Sequence, residues 1–198
     1  MPVFFKKILY LCLRLATPRQ FETSFIALGL HNLCQSKSKI TKMIRLNLPT
    51  FKIKLSGTKE QPRIFDILRH RYVALTPEEW VRQHFVHYLT EHKGYPAALL
   101  ANEISLGIGN KKLRADSVLY DRLMQPRMIV EYKAPNIEIT QKVFDQIAAY
   151  NLLLHVDFLV VSNGLQHYCC RIDYENRSYL FLHDIPSYQE LVQTTSVY

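Results

Sequence analysis

The sequence predicts an α/β fold, a central mixed β-sheet flanked by helices, and three stretches predict it. Residues 101–135, "ANEISLGIGNKKLRADSVLYDRLMQPRMIVEYKAP", place β-rich runs around turn material at Gly107 to Asn110 and Asp121 to Pro126, the pattern of a three-stranded antiparallel meander. "IEITQKVFDQIAAYNLLLH" then carries Val143, Ile147 and Leu154 on one helical stripe. "DFLVVSNG" follows as a continuously apolar strand, the composition of a strand covered on both faces. Strands, a helix and a returning buried strand fit helices packed on a mixed sheet. With 198 residues, 48% of them hydrophobic, the chain can bury one sizeable core but hardly two, so one domain is expected.

From the N-terminus, residues 1–42 differ from the rest. They hold seven Lys and Arg against one acid, a formal +6, and no capped or periodic element. "FFKKILYLCLRLATPRQ" has a basic pair and an apolar run that Arg14 interrupts, too short to span a bilayer or to form a signal core. This basic extension reads either as a disordered arm or as translated sequence upstream of the real start at Met43. The folded unit is then residues 43–198. In "LTPEEWVRQHFVHYLTEHKGYP", Thr76 is the N-cap, Pro77 the first helical residue and Glu79 the closing member of a capping box, with Gly94 and Pro96 as stop signals. Val81, Phe85, Tyr88 and Leu89 are expected on its buried face, and Arg82, Gln83 and Glu91 in water. The meander, the helix and the apolar strand follow. "HYCCRIDY" and "SYLFLHDI" then read as a strand pair, and Tyr188 to Val192 as a closing helical turn.

Composition narrows the function classes. The formal charge is +8, but residues 43–198 hold 18 basic and 16 acidic groups, so a nucleic-acid contact by the folded body requires a local patch. Four cysteines without C-x-x-C spacing or histidine partners exclude a structural zinc and fit a reducing, cytoplasmic setting. His84, His87, His92 and His167 lack ligand spacing and are expected exposed or partly packed. No membrane role is indicated.

Chemistry concentrates at "RMIVEYKAP", where an otherwise buried strand acquires a glutamate and, two residues on, a lysine. Side chains at i and i+2 share a strand face, so Glu131 and Lys133 project together while Tyr132 points away. Asp116 on the preceding strand can lie across from them, and Glu103 on the strand before that can add a third carboxylate. Acids crowded in this way call for a cation, and a hard divalent ion such as magnesium suits carboxylate oxygens. The site is expected at an exposed sheet edge. Gln146 and Tyr150, at i and i+4 on the next helix, offer two hydrogen-bonding groups on one face. Lys111, Lys112 and Arg114 precede Asp116 and can track a DNA backbone, although such a cluster is most often a solvated turn.

Asp116, fourteen intervening residues and then Glu131-Tyr132-Lys133 resemble the PD-(D/E)XK nuclease signature, and Gln146-Ile-Ala-Ala-Tyr150 resembles its companion Q-x-x-x-Y motif. The segments "FDILRHRYVALTPEEWVRQHFVHYL", "RADSVLYD", "IVEYKAP", "ITQKVFDQIAAYN" and "LVVSNGLQHYC" are, in order, similar to the N-terminal nuclease domain of type I restriction enzyme R subunits, in a stand-alone form. The resemblance spans roughly residues 60 to 185. It implies a restriction-endonuclease-like core around a four-stranded mixed sheet and magnesium-dependent cleavage of DNA, with manganese as a substitute. Asp116, Glu131 and Glu103 would hold the metal, and Lys133, Gln146 and Tyr150 would join Asp116 and Glu131 in catalysis. Ala115 stands where the signature has proline, which is not a ligand. No G-x-x-x-x-G-K-[ST] phosphate loop is present, so a motor or specificity subunit would act in trans or not at all. Two alternatives stay open: a non-catalytic DNA-binding or assembly module of a defence complex, and a nuclease acting on RNA. No aromatic base-stacking platform is apparent to decide the latter.

Overall fold

The computed structural model of the protein describes residues 44–108 and 111–195, and the side chains of residues 106–113 and 194–195 lie outside that description. The extension at residues 1–42 therefore falls outside the described residues. β1 (Leu55–Gly57), β2 (Pro62–Asp66) and β3 (Arg71–Ala74) form a small antiparallel sheet. α1 (Pro77–His87) follows and continues through a π-helical turn at Tyr88–His92. A 3₁₀ turn at Ala97–Leu99 leads into β4 (Leu100–Ile108), β5 (Lys111–Tyr120) and β6 (Pro126–Tyr132), and these into α2 (Gln141–Leu154). β7 (Phe158–Ser162), β8 (His167–Asp173), β9 (Ser178–Leu182) and α3 (Tyr188–Thr195) complete the order.

β4 to β9 lie in sequence order in one six-stranded sheet. β4–β5–β6 is the expected antiparallel meander. α2 provides the crossover that lets β7 pair with β6 in parallel, Met128 opposite Phe158 through Tyr132 opposite Ser162. β8 and β9 add antiparallel strands, so the sheet is mixed and wider than the four strands the resemblance implied. All five residues of β7 are buried, as its unbroken apolar composition required.

The two sheet faces carry separate cores. α2 covers one, packing Val143, Phe144 and Ile147 against Ile129, Val161 and Cys170. The other packs Val81, Phe85, Leu89 and Ile64 against Met128, Val130, Tyr132 and Cys169, with Leu191 of α3. Adjacent Cys169 and Cys170 thus enter opposite cores, as strand alternation dictates.

α1 departs from the amphipathic reading. Thr76 caps it, its hydroxyl accepting from the Glu79 amide at 3.0 Å. The Glu79 carboxylate does not close the box, because Arg69, Arg82 and Gln83 claim it. Arg82 and Gln83, expected in water, are 3% and 0% exposed. The cause is a carboxylate network: Gln83 shares Glu79 with Arg69 of the β2–β3 turn, and Arg82 reaches Glu79, Glu103 on β4 and Asp116 on β5. His84 and His87 are likewise buried, with Phe51 stacked on His87 at 3.8 Å between ring centroids. A turn at Asn163-Gly164 joins β7 to β8. Gly164 takes φ +81°, and a β-carbon there would lie 2.7 Å from the Leu46 side chain.

Candidate active site

The site forms where the β5–β6 ladder ends. The last registered pair is Ser117 with Val130, and beyond it the Asp116 carboxylate replaces the backbone partner, one oxygen accepting from the Tyr132 amide at 2.9 Å. Its other oxygen accepts from Arg82 at 2.9 Å. Asp116 therefore bridges β5, β6 and α1, and its side chain has little freedom.

Glu131 and Lys133 share a face and pair directly, Lys133 Nζ lying 2.6 Å from Glu131 Oε1. Lys133 also donates to Gln146 Oε1 at 3.2 Å, and Gln146 Nε2 donates to the Tyr150 hydroxyl at 2.8 Å. Four sequence-predicted residues thus form one connected chain from β6 onto α2. Tyr132 points to the opposite core with the Arg82 guanidinium 5.6 Å from its ring centroid.

This constellation is not at a sheet edge. β6 is third of six strands, and Glu131 is 2% exposed. The resemblance and the strand pattern specified a shared face but not the strand's rank in the sheet, which depends on later strands. Burial, reinforced by the charge of Asp116, pushes the Glu131 carboxyl up to about 7 against the opposing pull of Lys133. Burial pulls the Lys133 ammonium down, but its hydrogen bond to Glu131 and the surrounding carboxylates hold it above its ordinary range.

Glu103 is placed differently. It sits on β4 between the registered pairs Asn102–Ser117 and Ile104–Ala115, with φ +57°. A non-glycine residue in that region costs about 1–3 kcal/mol. Its carboxylate is held by Arg69 at 2.8 Å and by Arg82 at 3.5 Å, with Arg114 at 3.8 Å. Among the described residues no group of three or more His, Cys, Asp or Glu side chains is arranged to hold a metal, so the expected three-carboxylate cluster is not assembled there. Asp116 and Glu131 remain as the acid pair. Glu131 Oε2 is buried without a hydrogen-bond partner, and a carboxylate oxygen in that position suits a hard cation. Magnesium binds through one or two carboxylates while keeping several waters, so two acids are enough to fit it.

Sequence reasoning missed the network behind the site. Arg69 and Arg82 together bind five carboxylates, those of Asp66, Glu78, Glu79, Glu103 and Asp116. Asp66 is fully buried at the end of β2, and burial that would raise its carboxyl is outweighed by hydrogen bonds from Arg69 and Leu68. Glu78, in the first turn of α1, is also part of the site's field: burial and the Asp116 charge raise its carboxyl, while Arg82 and Lys133 draw it back. Glu78 and Arg82 stand four apart, and a carboxylate directly after the Pro77 start was the one signal available. Arg114 is exposed beside Glu103, whereas Lys111 and Lys112 open β5 with side chains outside the described residues.

Comparison with known proteins bears on this arrangement. The profile of the type I restriction enzyme R protein N terminus matches residues 77–186, which contain Glu78, Arg82, Glu103, Asp116, Glu131, Lys133, Gln146 and Tyr150. Among solved structures, a fragment assigned to the HsdR subunit of a type I restriction enzyme from Vibrio vulnificus YJ016 matches with a TM-score of 0.46 and 21% identity, over 61% of this chain and 25% of that one. The protein thus spans about a quarter of that chain's length. No curated protein matches the sequence significantly. No described helix is long and apolar enough to cross a membrane. The family match covers more than half of the chain, and the protein belongs to the type I restriction enzyme R protein N-terminal family.

Proposed function

We propose that the protein is a magnesium-dependent DNA endonuclease of restriction type. The observation that carries this reading is the unsatisfied, buried Oε2 of Glu131 beside the connected chain Glu131–Lys133–Gln146–Tyr150. A buried carboxylate oxygen without a donor is costly, and a site that leaves one beside a second carboxylate is suited to a cation. Asp116 and Glu131 would hold the metal, which when bound supplies charge to a phosphate oxygen and activates water. Lys133 lies between Glu131 and Gln146 and stays protonated, so its ammonium can meet the charge that builds on a phosphoryl group. Gln146 and Tyr150 orient that ammonium and can hold a water by hydrogen bonds. Arg82 fixes Asp116 from behind. DNA is the substrate proposed, and a motor or specificity subunit acting in trans would supply targeting.

The engagement of Asp116 by Arg82 and of Glu103 by three arginines favours one alternative, a non-catalytic DNA-binding or assembly module. The two readings separate when purified protein is incubated with supercoiled plasmid and magnesium or manganese, with and without EDTA. Nicking or linearisation that EDTA abolishes is expected. Intact plasmid with either metal would leave the module reading in place.

A further inference from the structure

We infer that the outer face of the β1–β3 sheet is a docking surface for single-stranded DNA, separate from the cleavage site. This sheet lies wholly before residue 77, where the family match begins. It is also where the folded body keeps its positive charge. Residues 51–75 hold six Lys and Arg against two acids, whereas residues 76–198 hold eleven against fourteen. Of those six, only Arg69 is committed to carboxylates. Lys52, Lys54, Lys59, Arg63 and Arg71 have no ion-pair partner among the described residues, and all five are exposed.

The sheet's register places Lys54 and Arg63 on the outer side with Phe65 and Tyr72, while Arg71 lies opposite Asp66 on the other face. Ile64 and Asp66 point inward and are fully buried, so Arg63 and Phe65 face outward. Phe65 pairs with Tyr72 across β2 and β3, their rings 5.3 Å apart edge to face. Lys54 Nζ lies 5.2 Å from the Phe65 ring centroid. Tyr72 is 37% exposed. Unpaired cations around an exposed aromatic ring are what a strand with free bases recognises: the cations meet phosphates and a ring meets a base face. A duplex presents phosphates but hides its base faces, so the exposed rings favour a single strand. The structure thus supplies the aromatic platform that the sequence did not reveal. Through Arg69, the β2–β3 turn is tied to Glu79 and Glu103, so the platform is held one side chain from the network around Asp116.

Binding is read without cleavage, which makes the outcome independent of whether the site cuts. The full chain in EDTA is titrated into a fluorescein-labelled oligothymidylate, a duplex of equal length and an oligouridylate, with anisotropy as the readout. The oligothymidylate is expected to bind most tightly. Tyr72→Ala should weaken that binding about tenfold and Tyr72→Phe should restore it, because stacking needs the ring and not the hydroxyl. Joint replacement Lys54→Ala with Arg63→Ala should weaken binding at least as much and flatten the logarithmic salt slope by about 1.4, the share of two single-strand phosphate contacts. Circular dichroism and melting should be unchanged, since these side chains lie on the exposed face. Preference for the duplex or the oligouridylate, or variants that bind the oligothymidylate like wild type, would overturn the inference.

Discussion

At the scale of single residues, the geometry ranks the site's members. Asp116→Asn and Glu131→Gln remove carboxylate charge and should abolish metal-dependent cleavage, whereas Lys133→Ala should slow it about a hundredfold or more. Gln146→Ala and Tyr150→Phe each remove a neutral hydrogen bond and should cost roughly tenfold or less in a plasmid-nicking assay. If Lys133→Ala nicks as fast as wild type, Lys133 is an ion-pair partner only. Glu131 adds a pH dependence. Its folded carboxyl is raised to about 7, above its ordinary value of 4.5, so between those values the folded state holds a proton that the unfolded state has lost. Stability therefore falls as pH rises through that window and is fully relieved of this burden only below it. A cation must displace the same proton, so magnesium or manganese affinity should rise as pH passes about 7, with proton release visible by calorimetry in buffers of different ionisation enthalpy. Affinity flat from pH 6 to 8 would remove Glu131 from the ligand set. The i and i+2 rule made the Glu131–Lys133 pair legible, and helical i and i+4 spacing made Gln146 and Tyr150 legible. Glu103 was legible as a neighbour of Asp116 and of Arg114, but not as a partner of Arg69 and Arg82, which come from distant elements.

At the scale of elements, α1 shows where helical periodicity misleads. Arg82 and Gln83 look like solvent-facing residues on a wheel, and they are buried because Arg69, from the turn of a second sheet with strands three to five residues long, meets them at Glu79 while Arg82 reaches Glu103 and Asp116. Strands of three to five residues give little alternation to read, which is why that sheet was not apparent in the sequence while β7 was. Arg82 now joins α1 to β4 and β5 through Glu79, Glu103 and Asp116. Arg82→Ala would leave the buried Asp116 carboxylate without its guanidinium and should cost about 3–5 kcal/mol of stability, measured by chemical denaturation. Arg82→Lys keeps the charge but loses the fork that spans two carboxylates, so it should recover only part of that loss. A change within error for Arg82→Ala would mean that the network is solvated rather than structural.

At the scale of the whole molecule, the sequence divides in charge near Met43. Leu46 joins one apolar core and is locked against Gly164 of the β7–β8 turn, while the Asn47 backbone amide donates to the Gly164 carbonyl at 2.7 Å. The first described residues are thus tied into the fold: Trp80 Nε1 donates to the Ile44 carbonyl at 3.2 Å, and His167 bonds the Asn47 carbonyl at 3.0 Å. Upstream, residues 1–42 carry a formal +6 with no capping or periodic pattern, so their sequence offers the core neither apolar periodicity nor a helix start. A chain beginning at Met43 is therefore expected to melt within a degree or two of the full chain, the scale of a change in stability well under 1 kcal/mol for a domain of this size. Its net charge falls from +8 to +2, so any electrostatic pull on DNA supplied by the extension should disappear from the salt dependence while the melting temperature stays. A shortened chain that is insoluble, or that melts many degrees lower, would place the extension inside the folded unit and move the domain boundary upstream of Met43.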